Sequence, residues 1–515
     1  MNTGPYFMQL PEKQRAPFLK EFGRRAGEWK QDNPGKNMPP DVRTHLEAAA
    51  TAATSPVDAA PTQPATGADT TEHRGQALIA TTLVHNWPDK LRHVYNLGWR
   101  HWDGKRWAAD EHGHAKRAVL ETILSAKHKA IDDDDKGLMR DAERCESAAG
   151  IAGVLDIAAA LPPYAITVAD LDADPYLLNV ANGTLDLRTG ELRPHDPADN
   201  ITKLAAAAYD PDAPSKTWDA FLARSLPDEA VRGFLQRFIG QALVGLTLEH
   251  LLAILTGTGR NGKSVLWATI SAALGDYAAM AEPDLFMHRE NAHPTGEMDL
   301  LGRRLVAVSE SDQGRRLAEA TVKRLTGGDK IRARKMRQDF VEFTPSHSVA
   351  LITNHLPKVS GDDPAIWARI RVVPFGVVIP RAERDPKLPE KLHLELDAVL
   401  TWAACGWREY QAHGLAEPDA VMVATEHYQA DSDALGRFLE ECCETGPGLS
   451  ALTEALHREW STWAFQEGAS PMGKKAFGEA LEARGFPVKR GTGGIRSRLG
   501  ITLKTPAYGN GLDQQ

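Results

Sequence analysis

The spacing of apolar residues changes several times along this chain, and each change marks a part. Residues 1–46 carry short helical patterns, Phe18 to Trp29 among them, set in charged sequence. Over 47–76 Ala, Thr, Pro and Ser dominate, with too few large apolar side chains for a core, which predicts a disordered linker. Residues 77–240 predict a mixed α+β domain. Its first part, His93 to Trp107, alternates aromatic and polar residues around Asp103-Gly104, a hairpin whose aromatics pack on one face. A helix and the acidic run Asp132-Asp133-Asp134-Asp135 follow, the run reading as a solvated loop. Asn179 to Gly190 predicts short strands joined at Asn182-Gly183 and Thr189-Gly190, and Trp218 to Leu246 returns to helical spacing.

The next stretch organises the rest. Leu251 to Leu255 reads as a buried strand and Val265 to Ile270 as a helix, with Gly257-Thr258-Gly259-Arg260-Asn261-Gly262-Lys263-Ser264 between them. Strand, GxxxxGKS and helix in this order form a phosphate-binding loop. The glycines let successive N–H groups point inward at phosphate oxygens. Lys263 reaches the β- and γ-phosphates, and Ser264 offers a hydroxyl to Mg²⁺ at a helix start whose dipole favours anions. Residues 257–265, Val265 included, are therefore the expected site for a nucleoside triphosphate with Mg²⁺. Arg303 to Glu310 is an apolar strand ending in an acid, placed as the second sheet strand. Glu310 is the candidate to hold Mg²⁺ and polarise the attacking water, with Asp312 as a possible assistant. Ser348 to Asn354 is placed as a third strand whose terminal amide, Asn354, orients that water. Arg369 and Arg371 are candidates for an arginine finger reaching a neighbouring subunit's site.

Two basic elements suggest a polyanionic partner. Thr326 to Phe343 predicts a hairpin with a basic tip, where Lys335 and Arg337 would grip phosphates. Residues 381–432 are largely helical. From Ala434 the pattern reads helix, helix, helix, hairpin, the order of a winged helix. In that arrangement Lys474 and Lys475 face a major groove while Lys489, Arg490, Arg496 and Arg498 on the wing contact phosphate.

Composition changes this picture little. A chain of 515 residues holds three or four domains. Its net charge of −9 hides local excesses: 323–337 carry seven Lys or Arg against one Asp, and 471–504 carry eight against two Glu. A basic face, not total charge, decides nucleic-acid binding. No apolar run approaches membrane-spanning length and no signal-peptide pattern is present, so a cytoplasmic protein without membrane partners is expected. Cys145, Cys405, Cys442 and Cys443 lack disulfide-framework and CxxC spacing and read as reduced thiols.

In this order the motifs resemble the helicase part of phage and plasmid primase–helicases, a branch of the superfamily 3 helicases that includes the poxvirus primase–helicase. The likeness is carried by Gly257 to Ser264, by Ser309-Glu310, by Lys323 to Asp329 with Phe343-Thr344-Pro345, and by Thr353-Asn354-His355-Leu356-Pro357. Asp363 to Arg371 and Asn182 to Leu187 support it. The resemblance implies an α/β fold: an AAA+-like P-loop ATPase core over 241–380, an N-terminal mixed α+β domain, a C-terminal winged-helix domain over 433–505 and a tail over 506–515. It further implies a homo-oligomeric ring, usually a hexamer, with ATP between subunits. Glu310 becomes the acidic motif, Asn354 the sensor, and the hairpin near Lys335 and Arg337 a pore element drawing single-stranded DNA through for 3′-to-5′ unwinding. Duplex or origin DNA falls to the winged helix. The chain departs from the pattern where Ala368 separates Trp367 from Arg369. Only about 75 residues precede the family-like region, so a helicase that does not prime is expected, with a separate primase or loader as partner. A bifunctional primase–helicase and an ATP-regulated origin-binding initiator stay open as alternatives.

Overall fold

Leu251, Ala253 and Leu255 join one hydrophobic cluster, while Leu252 and Ile254 join another. This period of two on a strand buried on both sides explains why the run is apolar throughout. The structure, a computed structural model, describes residues 73–287, 294–310, 314–334, 339–359, 363–467, 469, 472–491 and 495–504. The expected helices of 1–46, nearly all of the expected linker, Asp312, Lys335, Arg337 and the tail lie outside the described residues.

The N-terminal part comprises α1 (Gln76–Asn86), β1 (Leu91–Val94), β2 (Gly98–Trp102), β3 (Trp107–Ala109), α2 (His114–Asp132), α3 (Lys136–Cys145), α4 (Ala148–Ala158) and β4 (Ala165–Ile166). Its sheet has the order β3-β2-β1-β4. The Asp103-Gly104 hairpin is present and pairs Trp102 with Trp107, whose rings lie 5.6 Å apart. The acidic run ends in a structural role: Asp135 accepts hydrogen bonds from Gly137 and Leu138 N–H at the start of α3. Three short antiparallel strands follow, β5 (Leu177–Val180), β6 (Gly183–Asp186) and β7 (Glu191–Arg193), then α5 (Lys216–Ser225) and α6 (Glu229–Ala242).

The core contains β8 (Leu252–Thr256), α7 (Lys263–Leu274), β9 (Ala278–Ala281), β10 (Leu305–Glu310), α8 (Glu319–Leu325), β11 (Ile331–Ala333), β12 (Val341–Phe343), β13 (Ser348–Thr353), α9 (Pro364–Trp367) and β14 (Ile370–Pro374). Its five-stranded parallel sheet runs β14-β8-β13-β10-β9. The sequence placed the acid-bearing strand second and the amide-bearing strand third. They are third and fourth in chain order, because β9 (Ala-Ala-Met-Ala) precedes them at the sheet edge. Its composition favours a helix, and only backbone pairing with β10 makes it a strand. Helices α10 (Leu388–His393), α11 (Leu396–His413) and α12 (Asp419–Ser432) follow.

One buried cation fastens the N-terminal part to this sheet. Arg304, 4% exposed and just before β10, donates to the Leu177 carbonyl at 2.6 Å and to the Leu243 carbonyl. Its guanidinium also lies over the Tyr277 ring at 4.6 Å.

The C-terminal part has its own core, including Phe438, Leu456, Trp460, Phe477 and Ile501. Its order is α13 (Ala434–Cys442), β15 (Cys443–Leu452), α14 (Thr453–Gln466), α15 (Lys474–Ala483), β16 (Val488–Arg490) and β17 (Arg496–Leu503), with the sheet arranged β15-β17-β16. The sequence reading had no strand between the first two helices. Pro447, Gly446 and Gly448 read as loop, but the pairing register shifts between Thr445 and Ser450, so the strand tolerates them at the edge of its sheet. All four cysteines are free thiols. Among the described residues no helix is long and apolar enough to cross a membrane.

Candidate nucleotide site and basic elements

The loop after β8 is shaped by its backbone. Gly259, Arg260 and Gly262 have φ of 91°, 57° and 92°, left-handed values that aim consecutive N–H groups to one side. Arg260 holds this costly conformation without being glycine, and its carbonyl is fixed by the Ile379 N–H at 2.9 Å. A Cβ on Gly257 would run into the Asn261 side chain and the Phe375 carbonyl. Asn261 is 2% exposed and donates to that same carbonyl at 3.1 Å, anchoring the loop to the chain just beyond β14.

Lys263, 4% exposed at the start of α7, extends back across the loop. Its ammonium donates to the Gly257 carbonyl at 2.8 Å and to the side-chain carbonyls of Asn261 and Asn354, each at 3.2 Å. Burial lowers its pKa. Ser264 is exposed beside it and Val265 is half-buried.

Strand register sets what surrounds the ammonium. Thr256 pairs with Thr353 and with Pro374, and Thr353 pairs with Glu310. The ends of β14, β8, β13 and β10 therefore form one row, with Asn354 one residue past it and Glu310 on the strand beyond. Thr353 shapes the amide's turn: its hydroxyl donates to the His355 carbonyl at 2.6 Å and accepts from the His355 N–H at 3.0 Å. The sequence reading assigned no role to Thr353 or to Phe375. The Phe375 contribution is a backbone carbonyl and leaves no residue-type signal.

The two arginines differ. Arg371 is committed within its own chain, its Nε 2.6 Å from Glu417 and its Nη1 donating to the Ala368 and Ile370 carbonyls. Arg369 donates through Nη1 to the Ala365 carbonyl at 2.9 Å, and its Nε is buried without a partner. Nearby, Lys323 pairs with Asp363, and Arg324 makes a two-pronged pair with Glu297.

The basic hairpin forms from β11 and β12, with Arg332 opposite Glu342. Lys335 and Arg337, expected at its tip, lie outside the described residues. Below the tip, Phe340 is 40% exposed with the guanidiniums of Arg332 and Arg334 over its ring at 4.6 and 4.7 Å. In the C-terminal part Lys475, Lys489, Arg490 and Arg496 are exposed, and Lys474 pairs with Glu454 at 2.8 Å. Arg498 corrects the expectation of a phosphate contact. It is 5% exposed, turned inward to Glu482 at 3.3 Å and the Phe486 carbonyl at 3.0 Å.

Two family models match the chain. The one described as D5 N terminal like covers residues 80–227, and the one described as a family of unknown function, DUF5906, covers residues 255–369 and with them the phosphate loop, Glu310 and Asn354. Over these two regions the chain is similar to the D5/DUF5906 primase–helicase family. Among the family's viral relatives, a "Putative helicase" of Acanthamoeba polyphaga mimivirus is 27% identical over 320 residues, 56% of this chain and 33% of that protein. A "Putative helicase" of Frog virus 3 is 28% identical over 307 residues, 55% of this chain and 30% of that protein. A "Putative primase" of African swine fever virus is 26% identical over 323 residues, 56% and 34%. The chain thus spans about a third of the length of these relatives. The apo structure of the NrS-1 C-terminal region aligns over 58% of this chain and 77% of that one, at 10% identity and a TM-score of 0.35.

Proposed function

We propose that this chain is an ATP-hydrolysing DNA helicase acting in replication of a virus, phage or mobile element, working as a homo-oligomeric ring that unwinds 3′ to 5′. The observation that carries the reading is the meeting of Lys263 with Asn354, one strand away from Glu310. An AAA+-like core is supported by the strand β13 lying between the loop strand and the acid strand, because that interposed strand delivers the amide.

The residues divide the work of phosphoryl transfer to water. Backbone N–H groups of 257–262 and the Lys263 ammonium hold the phosphates and stabilise the charge that develops on them. The Asn354 amide orients the attacking water, and Glu310 polarises it. The exposed Ser264 hydroxyl and Glu310 would hold Mg²⁺, which when bound neutralises charge on the phosphate oxygens. Arg369 serves as the finger into the adjoining subunit, since Arg371 is occupied by Glu417. The hairpin of β11 and β12 grips one strand of DNA through its tip and the Phe340 stack. The order helix, strand, helix, helix, strand, strand supports a winged helix over 433–505 that contacts duplex DNA through Lys474, Lys475, Lys489, Arg490 and Arg496.

The test is strand displacement on forked DNA bearing a 3′ or a 5′ tail, with ATP and Mg²⁺, comparing the full chain with Lys263→Ala. Unwinding from the 3′ tail that is absent in the variant is the expected result. DNA-stimulated hydrolysis without displacement supports an ATP-regulated initiator, and no response to DNA overturns the reading.

A further inference from the structure

Three ligand-type side chains converge in the N-terminal part, outside the nucleotide site. His101 lies on β2, Asp110 directly follows β3, and His114 opens α2. One donor atom from each lies within 4.8 Å of the others. The two imidazoles face each other, with centroids 3.8 Å and planes 10° apart. His101 Nδ1 is buried and has no hydrogen-bond partner. Asp110 is already oriented, its carboxylate accepting from the His114 N–H at 2.6 Å and the Ala115 N–H at 2.9 Å. Those bonds use one oxygen lone pair each and leave others open.

We propose that His101, Asp110 and His114 form a binding site for one divalent transition-metal ion of the zinc class. Two imidazole nitrogens with one carboxylate oxygen suit Zn²⁺ or Co²⁺, whereas Mg²⁺ and Ca²⁺ prefer sets made only of oxygen. Three protein ligands leave the fourth tetrahedral position to water. Bonds of about 2.0–2.1 Å at tetrahedral angles require donors roughly 3.3 Å apart, so the group closes on binding. Rotation about the soft final torsion of His101 accomplishes this. The same rotation turns its ring out of the parallel stack, so the two nitrogen lone pairs converge on one point. The bound ion ties the β2–β3 hairpin to the first turn of α2.

The test uses the full chain, stripped of metal with a chelator and titrated with Co²⁺ while visible d–d absorption is recorded, followed by displacement with Zn²⁺. His101→Ala and His114→Ala are measured alongside His413→Ala, a control at an imidazole 62% exposed on α11. Expected are one equivalent of bound Co²⁺ for the unaltered chain and the control, and affinity weakened by about 10–100-fold or more in the two site variants. Zn²⁺ should also raise Tm for the unaltered chain and not for the variants, with all Tm values compared against those in chelator to expose any folding defect. If His101→Ala does not fold, His114→Ala carries the test alone. Absence of d–d bands in the unaltered chain, or equal binding by the site variants, overturns the proposal.

Discussion

The Lys263 ammonium and the side-chain carbonyl of Asn354 lie 3.2 Å apart, joining the phosphate loop to the end of the neighbouring strand β13. Under the proposed function this contact puts the amide next to the terminal phosphate that Lys263 would hold. Asn354→Ala is expected to keep nucleotide affinity within a few-fold while lowering the turnover of hydrolysis by about 10²–10³. Lys263→Ala is expected to weaken both. Titration with a fluorescent nucleotide and steady-state phosphate release separate the two effects. Turnover at the unaltered rate in Asn354→Ala would remove the amide from the reaction.

The arginines invite a complementation experiment. Arg369→Ala should leave the fold intact and reduce hydrolysis by about 10³. Arg371→Ala breaks the pair with Glu417 and should lower Tm by about 2–4 °C. Inactive Arg369→Ala protein mixed with Lys263→Ala protein should regain hydrolysis, because some interfaces then combine an intact loop with an intact finger. No recovery on mixing, with oligomers confirmed, would rule out action across subunits.

Loop shape gives a steric prediction. Gly257→Ala places a methyl against Asn261 and the Phe375 carbonyl, whereas a Cβ on Gly259 meets open space. Gly259→Ala meets only the left-handed backbone penalty of about 1–2 kcal/mol. Nucleotide binding should fall further in Gly257→Ala than in Gly259→Ala, as read by calorimetry. The reverse order would mean that this loop rearranges before binding.

His347 sets an acid limit on stability. It is 1% exposed just before β13, and burial pushes its imidazole down to about 4, against a smaller opposing effect from Leu325. The unfolded chain takes up this proton near the ordinary value of 6.5. Stability is therefore fully present above that pH and is lost as pH falls toward 4, by up to about 3 kcal/mol. His347→Leu should flatten the fall of Tm between pH 6.5 and 4.5. An unchanged slope in thermal melts would assign the titration to other groups.

The sequence was most legible where local pattern and burial coincide. Leu251 to Leu255 alternates between two buried faces, and Gly259 and Gly262 occupy two of the loop's three positions of left-handed φ. The strand Ala278–Ala281 was not legible, since nothing in Ala-Ala-Met-Ala distinguishes an edge strand from a helix. Neither was the division between the arginines, because Glu417 lies far along the chain from Arg371. Arg498 misled for a related reason. Its charge matched its neighbours on the wing, but its guanidinium lies along α15 where Gly478 carries no side chain: a Cβ there would stand 2.9 Å from Nη2.

Arg304 bears on how force travels. It immediately precedes the strand that ends in Glu310, and its two hydrogen bonds reach the start of β5 and the end of α6. A displacement of β10 along its axis must carry Leu177 and Leu243 with it or expose buried donors at about 1–3 kcal/mol each. The acid-bearing strand is therefore geared at its far end to β5 and α6, so that neither can slide along it without breaking those two bonds.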